Sequence, residues 1–384
     1  MQASRRLAAY YFFYFAFIGA FNPYFGLYLK SLEFSAWQVG LVMSQMQLMR
    51  MVTPWIWGPW QRNPWSELRV VRYAALASVV TFSGLLFWRE FEAVLANMAI
   101  MAFFWSAALP AVEAITVRQL AHEPEQYGRI RMWGSVGFVI AVMAVGALLD
   151  RAPVSVAVWL PWLLVVAVWG TTGLLSPGDA SGERTERAEI GRMMLRPQVS
   201  GLLLACFLMS IAHAAFYVFY AIYLVANGYS PFVVGMLFTL GVLAEIVVFW
   251  RMPSVLVRFS LRAVLLTSFA CVALRFVLVG WRVQDVALMV FAQLLHGMTF
   301  GAYHAAAMAS LSRFFPGRAQ IAGQAWYGAV SFGAGGLVGG IAAGATWDVI
   351  GPAWTFTWSA GAGLLGFCVL WLAWPSSPER GSAG

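Results

Sequence analysis

Charged side chains are scarce in this chain. They make up 10% of 384 residues, whereas hydrophobic residues make up 61%. That balance excludes an ordinary soluble globule and points to a polytopic α-helical membrane protein. Acidic residues are the scarcer sign, 16 against 24 Lys and Arg, which leaves a net charge of +8. A nucleic-acid partner does not follow, because the basic residues are scattered over short loops instead of forming one surface. Cysteines are few: Cys206, Cys271 and Cys368 all fall in apolar runs without paired spacing. They suggest neither a disulfide framework nor a metal site. No nucleotide-binding loop, HExxH motif or Ser/His dyad motif is present, so neither ATP-driven transport nor an intramembrane enzyme has support. No cofactor is implied.

Long apolar runs are what the chain has instead. Twelve are expected to cross a membrane, at approximately 7–30, 36–59, 69–88, 93–117, 131–149, 154–175, 198–226, 231–252, 262–280, 286–312, 320–345 and 353–374. A crossing helix needs about 20 apolar residues. The first run follows Arg5 and Arg6, as a signal peptide would. It is too long for one and lacks a small-residue cleavage site, so it is expected to be retained as a helix. With the N-terminus in the cytoplasm, inside segments hold eighteen Lys and Arg and outside loops hold four, Lys30, Arg89, Arg151 and Arg282. The positive-inside rule therefore places both termini in the cytoplasm.

Ser176–Arg196, SPGDASGERTERAEIGRMMLR, is the one long polar stretch between spans. Its composition suits a solvated linker. The domain expectation is a six-helix bundle over 1–175, a cytoplasmic linker over 176–197 and a second six-helix bundle over 198–384. An internal repeat supports the division. Ser230–Pro253, SPFVVGMLFTLGVLAEIVVFWRMP, aligns with Ser35–Gly58, SAWQVGLVMSQMQLMRMVTPWIWG, at an offset of 195. Ser35 falls on Ser230, Val39 on Val234, Gly40 on Gly235 and Arg50 on Glu245. Parallel repeats of this kind are one building plan of secondary transporters.

Ionisable groups deep in a span cost about 2.5–3.5 kcal/mol on insertion scales, so each needs a partner or a wet cavity. The polar set in or near the spans is Arg50, Glu113, Arg131, His213, Glu245, Arg275, His296 and His304. Arg50 and Glu245 stand at matching depths with opposite charge and are expected to pair. Arg275 lies two turns from the outer end of span 9, where snorkelling competes with function. Glu113 and Arg131 lie on consecutive spans joined by a short loop, which suits a salt bridge. In span 10, His296, Phe300, Tyr303, His304 and Ala307 follow i, i+4, i+7, i+8 and i+11. They are expected to line one face of an α-helix. Such a stripe suits a solute with an apolar body and a polar end, or else helix packing with bonded histidines. The i, i+8 spacing of the two histidines is too long for direct chelation. Span 11 is rich in glycine, which suits close helix packing.

Several motifs resemble a known family. They are YFFYFAFIGAFNPYFGLY at Tyr11–Tyr28, PAVEA at Pro110–Ala114, GRIRMWGSVG at Gly128–Gly137 and ALRFVLVG around Arg275. LLHGMTFGAYHAAA followed by RFFPGRAQIAGQAWY completes the set. Together they resemble the lactose permease-like and phenylpropionate permease-like branch of the major facilitator superfamily. The resemblance spans nearly the whole chain. It implies a twelve-helix fold in two pseudo-symmetric bundles. By position it implies substrate-binding roles for Glu113 and Arg131 and proton-coupling roles for Glu245, Arg275 and His296. Arg50, Phe138, His213, Phe300, Tyr303 and His304 complete the substrate-binding candidates. Departures from the sugar-transporting pattern are Thr299 where the family carries a proton-bearing glutamate, Phe138 for a tryptophan and Val248 for an asparagine. The loop GPWQRNPWSELR lacks the superfamily aspartate.

The expectation is a proton-coupled symporter of a small aromatic or apolar carboxylate, monomeric, in a bacterial inner membrane. Its partners would be substrate, protons and the bilayer. A sugar or nucleoside symporter, an efflux exchanger and a non-transporting membrane sensor are the alternatives.

Overall fold

The computed structural model describes residues 2–60, 64–121, 123, 125–177, 190–317 and 319–374. Most of the expected linker, residues 178–189, lies outside the described residues. The described residues form helices joined by short turns and contain no strand. This follows from a bilayer's lack of hydrogen-bond partners, which leaves the helix as the way for one segment to satisfy its own backbone.

In the first half of the chain the helices are α1 (Gln2–Phe21), α2 (Phe25–Ser31), α3 (Ala36–Trp57), α4 (Pro64–Ser83), α5 (Phe91–Gln119), α6 (Gln126–Leu149) and α7 (Val156–Thr172). A short α8 (Ile190–Met194) follows. Then come α9 (Pro197–Ala226), α10 (Pro231–Arg258), α11 (Leu261–Trp281), α12 (Val286–His296), α13 (Tyr303–Phe314), α14 (Ala319–Tyr327), α15 (Gly336–Ile350) and α16 (Pro352–Ala373). Pro23 separates α1 from α2, because proline cannot donate within a continuing helix. Two π-helical stretches, Gly297–Ala302 and Gly328–Gly335, join α12 to α13 and α14 to α15.

Helices stand at all twelve expected positions. Ten are long and apolar enough to cross a membrane among the described residues. The other two are α3 and α7. Gln38, Gln45, Gln47 and Arg50 dilute the hydropathy of α3. The α7 helix has 17 residues.

Packing divides the described residues into two compact units. Unit 1 gathers those within Met1–Glu183, Phe216–Thr239 and Gly340–Val349. Unit 2 gathers those within Arg184–Ala215, Leu240–Gly339 and Ile350–Gly384. Stretches of α9, α10 and α15 thus pack with helices of the first sequence half.

In unit 1 the core is aromatic. Tyr14 stacks on Trp105 at 4.5 Å, Phe17 meets the same indole at 4.3 Å, and Phe21 stacks on Phe25 at 4.4 Å. Glycine brings α1 against α6: a Cβ on Gly137 would lie 2.1 Å from the Phe12 carbonyl oxygen. At the cytoplasmic ends expected from the charge bias, Arg118 pairs with Glu67. Nearby, Arg72 donates to the Thr172 and Leu175 carbonyls at the end of α7, each at 3.3 Å.

Each of the repeat-related glycines meets a neighbouring helix's backbone closely. A Cβ on Gly40 would lie 2.8 Å from the Gly340 carbonyl of α15, and one on Gly235 would lie 2.9 Å from the Val142 carbonyl of α6. Small residues permit such backbone approach in a bilayer.

In unit 2, α9 docks on the second π stretch. Ser331 donates to the Cys206 carbonyl at 2.8 Å, and its hydroxyl lies 2.9 Å from that of Ser210.

Gly235→Val should lower stability by about 1–3 kcal/mol through overpacking. The readout is the thermal unfolding midpoint in detergent. Gly170→Ala is the matched control, since its added Cβ meets nothing within 4 Å. It should leave the midpoint unchanged or slightly raised. Equal midpoints for Gly235→Val and the parent would contradict the close approach of α10 and α6.

Candidate functional site

Two polar clusters hold most of the candidate residues, one in each unit.

In unit 1, the short connection between α5 and α6 brings Glu113 and Arg131 together, with Nη2 and Oε1 3.7 Å apart. Their side chains keep 33% and 38% exposure for Arg131 and Glu113, so a solute could reach both. The glycines that bring α1 against α6 also place aromatic rings on the guanidinium. Arg131 lies 4.3 Å from the Phe15 ring centroid and 5.2 Å from that of Tyr11. The Tyr11 hydroxyl is 3.1 Å from that of Thr116, which fixes the ring against α5. Phe138, two turns beyond Arg131 on α6, is half-buried. Arg50, toward the end of α3, is exposed and within electrostatic reach of Tyr14. This cluster therefore offers a cation framed by aromatic faces beside a carboxylate.

Unit 2 holds the more deeply buried cluster. Arg275 has 0% exposure, so the snorkelling alternative does not apply. Its Nε donates to the Ala292 carbonyl at 3.0 Å, Nη1 to the Thr299 hydroxyl at 3.2 Å and Nη2 to Gln293 Oε1 at 3.3 Å. The guanidinium also lies 5.3 Å from the centroid of the Phe276 ring. His213 is buried, with Nδ1 2.9 Å from the Met209 carbonyl and Nε2 3.3 Å from the Thr299 hydroxyl. A carbonyl can only accept, so Nδ1 carries the proton and a neutral His213 offers Nε2 as an acceptor. Thr299 thereby links Arg275 and His213. His296 Nε2 lies 3.8 Å from Glu245 Oε2, and the two imidazole centroids of His213 and His296 are 6.5 Å apart. Glu245 thus sits beside an imidazole of its own unit, while Arg50 belongs to unit 1.

Of the expected span-10 stripe, His296, Phe300 and His304 line up, whereas Tyr303 and Ala307 are buried. His296 stacks on Phe300 at 5.6 Å and 16°, and Phe300 on His304 at 5.9 Å and 7°. Tyr303 leaves the stripe. It is 2% exposed and meets Phe269 edge-on at 6.0 Å. The π stretch is the cause. A π turn closes at i+5, so each residue advances less around the axis than in an α-helix. In an α-helix the i+7 position of Tyr303 would lie nearest to His296, whereas here i+8 does. No sequence pattern in this stretch distinguishes the two windings.

Sequence reasoning also missed the far side of His304. Its Nδ1 lies 3.1 Å from the Tyr327 hydroxyl, and Phe249 and Phe332 approach at 6.4 and 6.2 Å. Tyr327 lies in the glycine-rich span, whose composition suggested only packing. Among the described residues no group of three or more metal-ligating side chains occurs.

Thr299→Val should remove one partner from Arg275 and one from His213. The expected cost is about 1–3 kcal/mol, since buried polar groups lose a bond they cannot recover from lipid. Thr299→Ser should restore stability. The check is the detergent unfolding midpoint of the three proteins, and an unchanged valine variant would contradict the bridge.

Residues 4–358 match the family model described as the MFS_1 like family. The chain is 30% identical to the probable 3-phenylpropionic acid transporter of Escherichia coli (strain K12), over 87% of this chain and 88% of that protein. It is also 30% identical to the maltose permease of Geobacillus stearothermophilus, over 52% of this chain and 51% of that one. Among solved structures, the nucleoside transporter NupG superposes with a TM-score of 0.83 at 16% identity, covering 98% of this chain and 100% of the other. At that identity the likeness bears on fold alone.

Proposed function

The chain belongs to the MFS_1-like family of major facilitator transporters, a multi-pass membrane transporter and not an enzyme; on that premise we propose that it is a proton-coupled symporter of a small aromatic or apolar carboxylate. The observation that carries this reading is the parallel stack His296–Phe300–His304, with Glu245 at one end and Tyr327 at the other. Aromatic faces suit the apolar body of such a solute, and imidazole and phenol groups suit its polar end. Arg50 and Arg131 supply the cations that a carboxylate needs, since a guanidinium binds one bidentately. The orientation follows the charge bias, with both termini in the cytoplasm of a bacterial inner membrane, and the working unit is a monomer. The bundles of 1–175 and 198–384 are the moving bodies in this reading.

Coupling requires a group whose protonation favours the loaded state. Glu245 is assigned that role. Arg275 and His296 support it. In place of the family's glutamate, Thr299 contributes a hydroxyl that relays between His213 and Arg275. The second reading is a nucleoside or sugar symporter, favoured by the half-exposed Glu113–Arg131 pair, which can bond hydroxyl groups from both signs of charge.

The test is uptake of labelled 3-phenylpropionate into proteoliposomes with an imposed pH gradient, competed by unlabelled nucleosides and maltose. The parent should accumulate the acid above equilibrium only when the gradient is present. Glu245→Gln should still exchange substrate downhill and should no longer accumulate it. Accumulation at the parental level in that variant would remove Glu245 from coupling and pass the role to His296 or His304, the imidazoles of the same stack. Arg50→Ala should weaken binding of the acid by about 1.5–3 kcal/mol, on the order of 10- to 100-fold in KM. Gradient-driven uptake of labelled nucleoside or maltose, without uptake of the acid, would favour the second reading.

A further inference from the structure

Two helix starts in unit 1 are closed by the same pair of devices. At the start of α3, Ser35 accepts from the Gln38 N–H at 3.3 Å. At the start of α10, Ser230 accepts from the Val233 N–H at 3.4 Å. These serines are the repeat partners, and each satisfies the donor three residues on. An earlier donor remains at each start. In α3 it is the Ala36 N–H, which donates to Asp348 Oδ2 at 2.9 Å. In α10 the first position is Pro231, which has no N–H, so the donor is the Phe232 N–H, bonded to Asp150 Oδ1 at 3.3 Å.

Each carboxylate comes from the opposite half of the sequence. Asp150 closes α6 and reaches α10; Asp348 lies near the end of α15 and reaches α3. A helix start also carries partial positive charge, which favours a carboxylate there. Between these points Tyr24 shares its single hydroxyl proton between the Val142 carbonyl of α6 at 2.9 Å and the Pro231 carbonyl at 3.1 Å. In the orientation taken from the charge bias, all three contacts lie at the outer ends of the helices.

We propose that Asp150 and Asp348 are paired positioning residues that clasp the outer ends of the two sequence halves and set how often the transporter opens outward. The clasp is made of carboxylate-to-backbone bonds, so it can break and re-form without exposing an unpaired apolar surface. Both its donors and its acceptors can turn to water when the ends separate.

The test reads opening without substrate, so its failure is distinct from failure of the substrate assignment. Ser44 is buried on α3 and faces Gly340 across the seam with α15. Ser44→Cys, in a background with Cys271→Ser and Cys368→Ser, reports separation of that seam. A membrane-impermeant maleimide is applied to right-side-out and to inside-out vesicles, and labelling rates are compared. Asp150→Ala combined with Asp348→Ala should label several-fold faster than the parent from the outer face only. Asp150→Asn combined with Asp348→Asn should stay close to the parent, because the amide oxygen accepts the same bonds. The single alanine variants should fall between and serve if the double variant does not fold. Parental rates in the alanine variants, an asparagine pair as fast as the alanine pair, or acceleration from both faces alike would overturn the proposal.

Discussion

Hydrocarbon supplies no hydrogen-bond partner, so each polar group carried into the bilayer must find one within the protein. Arg275 feels this constraint most strongly. A buried guanidinium must direct its N–H groups at acceptors, and the three assigned to it come from Ala292, Gln293 and Thr299. Those residues lie on α12 and on the π stretch that follows. The requirement therefore ties α11 to span 10, and through Thr299 and His213 it ties span 10 to α9. The aromatic stack of His296, Phe300 and His304 stands on the segment so anchored. Position in this cluster is a consequence of satisfying one charge.

Unit 1 meets the same constraint differently. Its paired charges, Glu113 with Arg131 and Glu67 with Arg118, lie at helix ends or on a partly exposed face. The rings of Tyr11 and Phe15 cover the Arg131 guanidinium. Packing by glycine makes this possible, since α1 reaches α6 only where no side chain intervenes. The two clusters thus differ in kind: one is buried and cross-linked, the other accessible and framed by aromatic faces.

Much of the fold could be read from the chain because apolar length and charge scarcity report directly on the bilayer. The ionisable residues of the candidate site were legible for the same reason: Arg275 and Glu245 stand out against an apolar background. The match of Gly40 with Gly235 across the repeat also carried through to a close backbone approach at each. What stayed hidden depends on geometry that composition does not encode. α-Helical winding puts Tyr303 on the stripe, and the π winding takes it off. Tyr11 and Phe15 looked like ordinary apolar residues of a first helix, and Tyr327 like packing in a glycine-rich span. Their contacts arise from the angle and distance between helices. Nothing in the sequence marks Asp150 and Asp348, since an aspartate at a helix end ordinarily faces water.

The π winding at Gly297–Ala302 has a consequence for how the chain can change over time. In an unbroken α-helix, losing or gaining one residue turns everything beyond it by roughly 100°. Here the lower angular advance in the π stretch is what brings His304 into line with His296. Relaxing the stretch to α winding with its residue count unchanged would turn everything beyond it by roughly 80°, whereas removing one residue at the same time would bring His304 to i+7 and back near the line of His296. In the first case His304 would leave its place beside Tyr327, and Arg313 would turn with it. In span 10 winding and residue count are therefore coupled: one can change without loss of the stack only if the other changes with it.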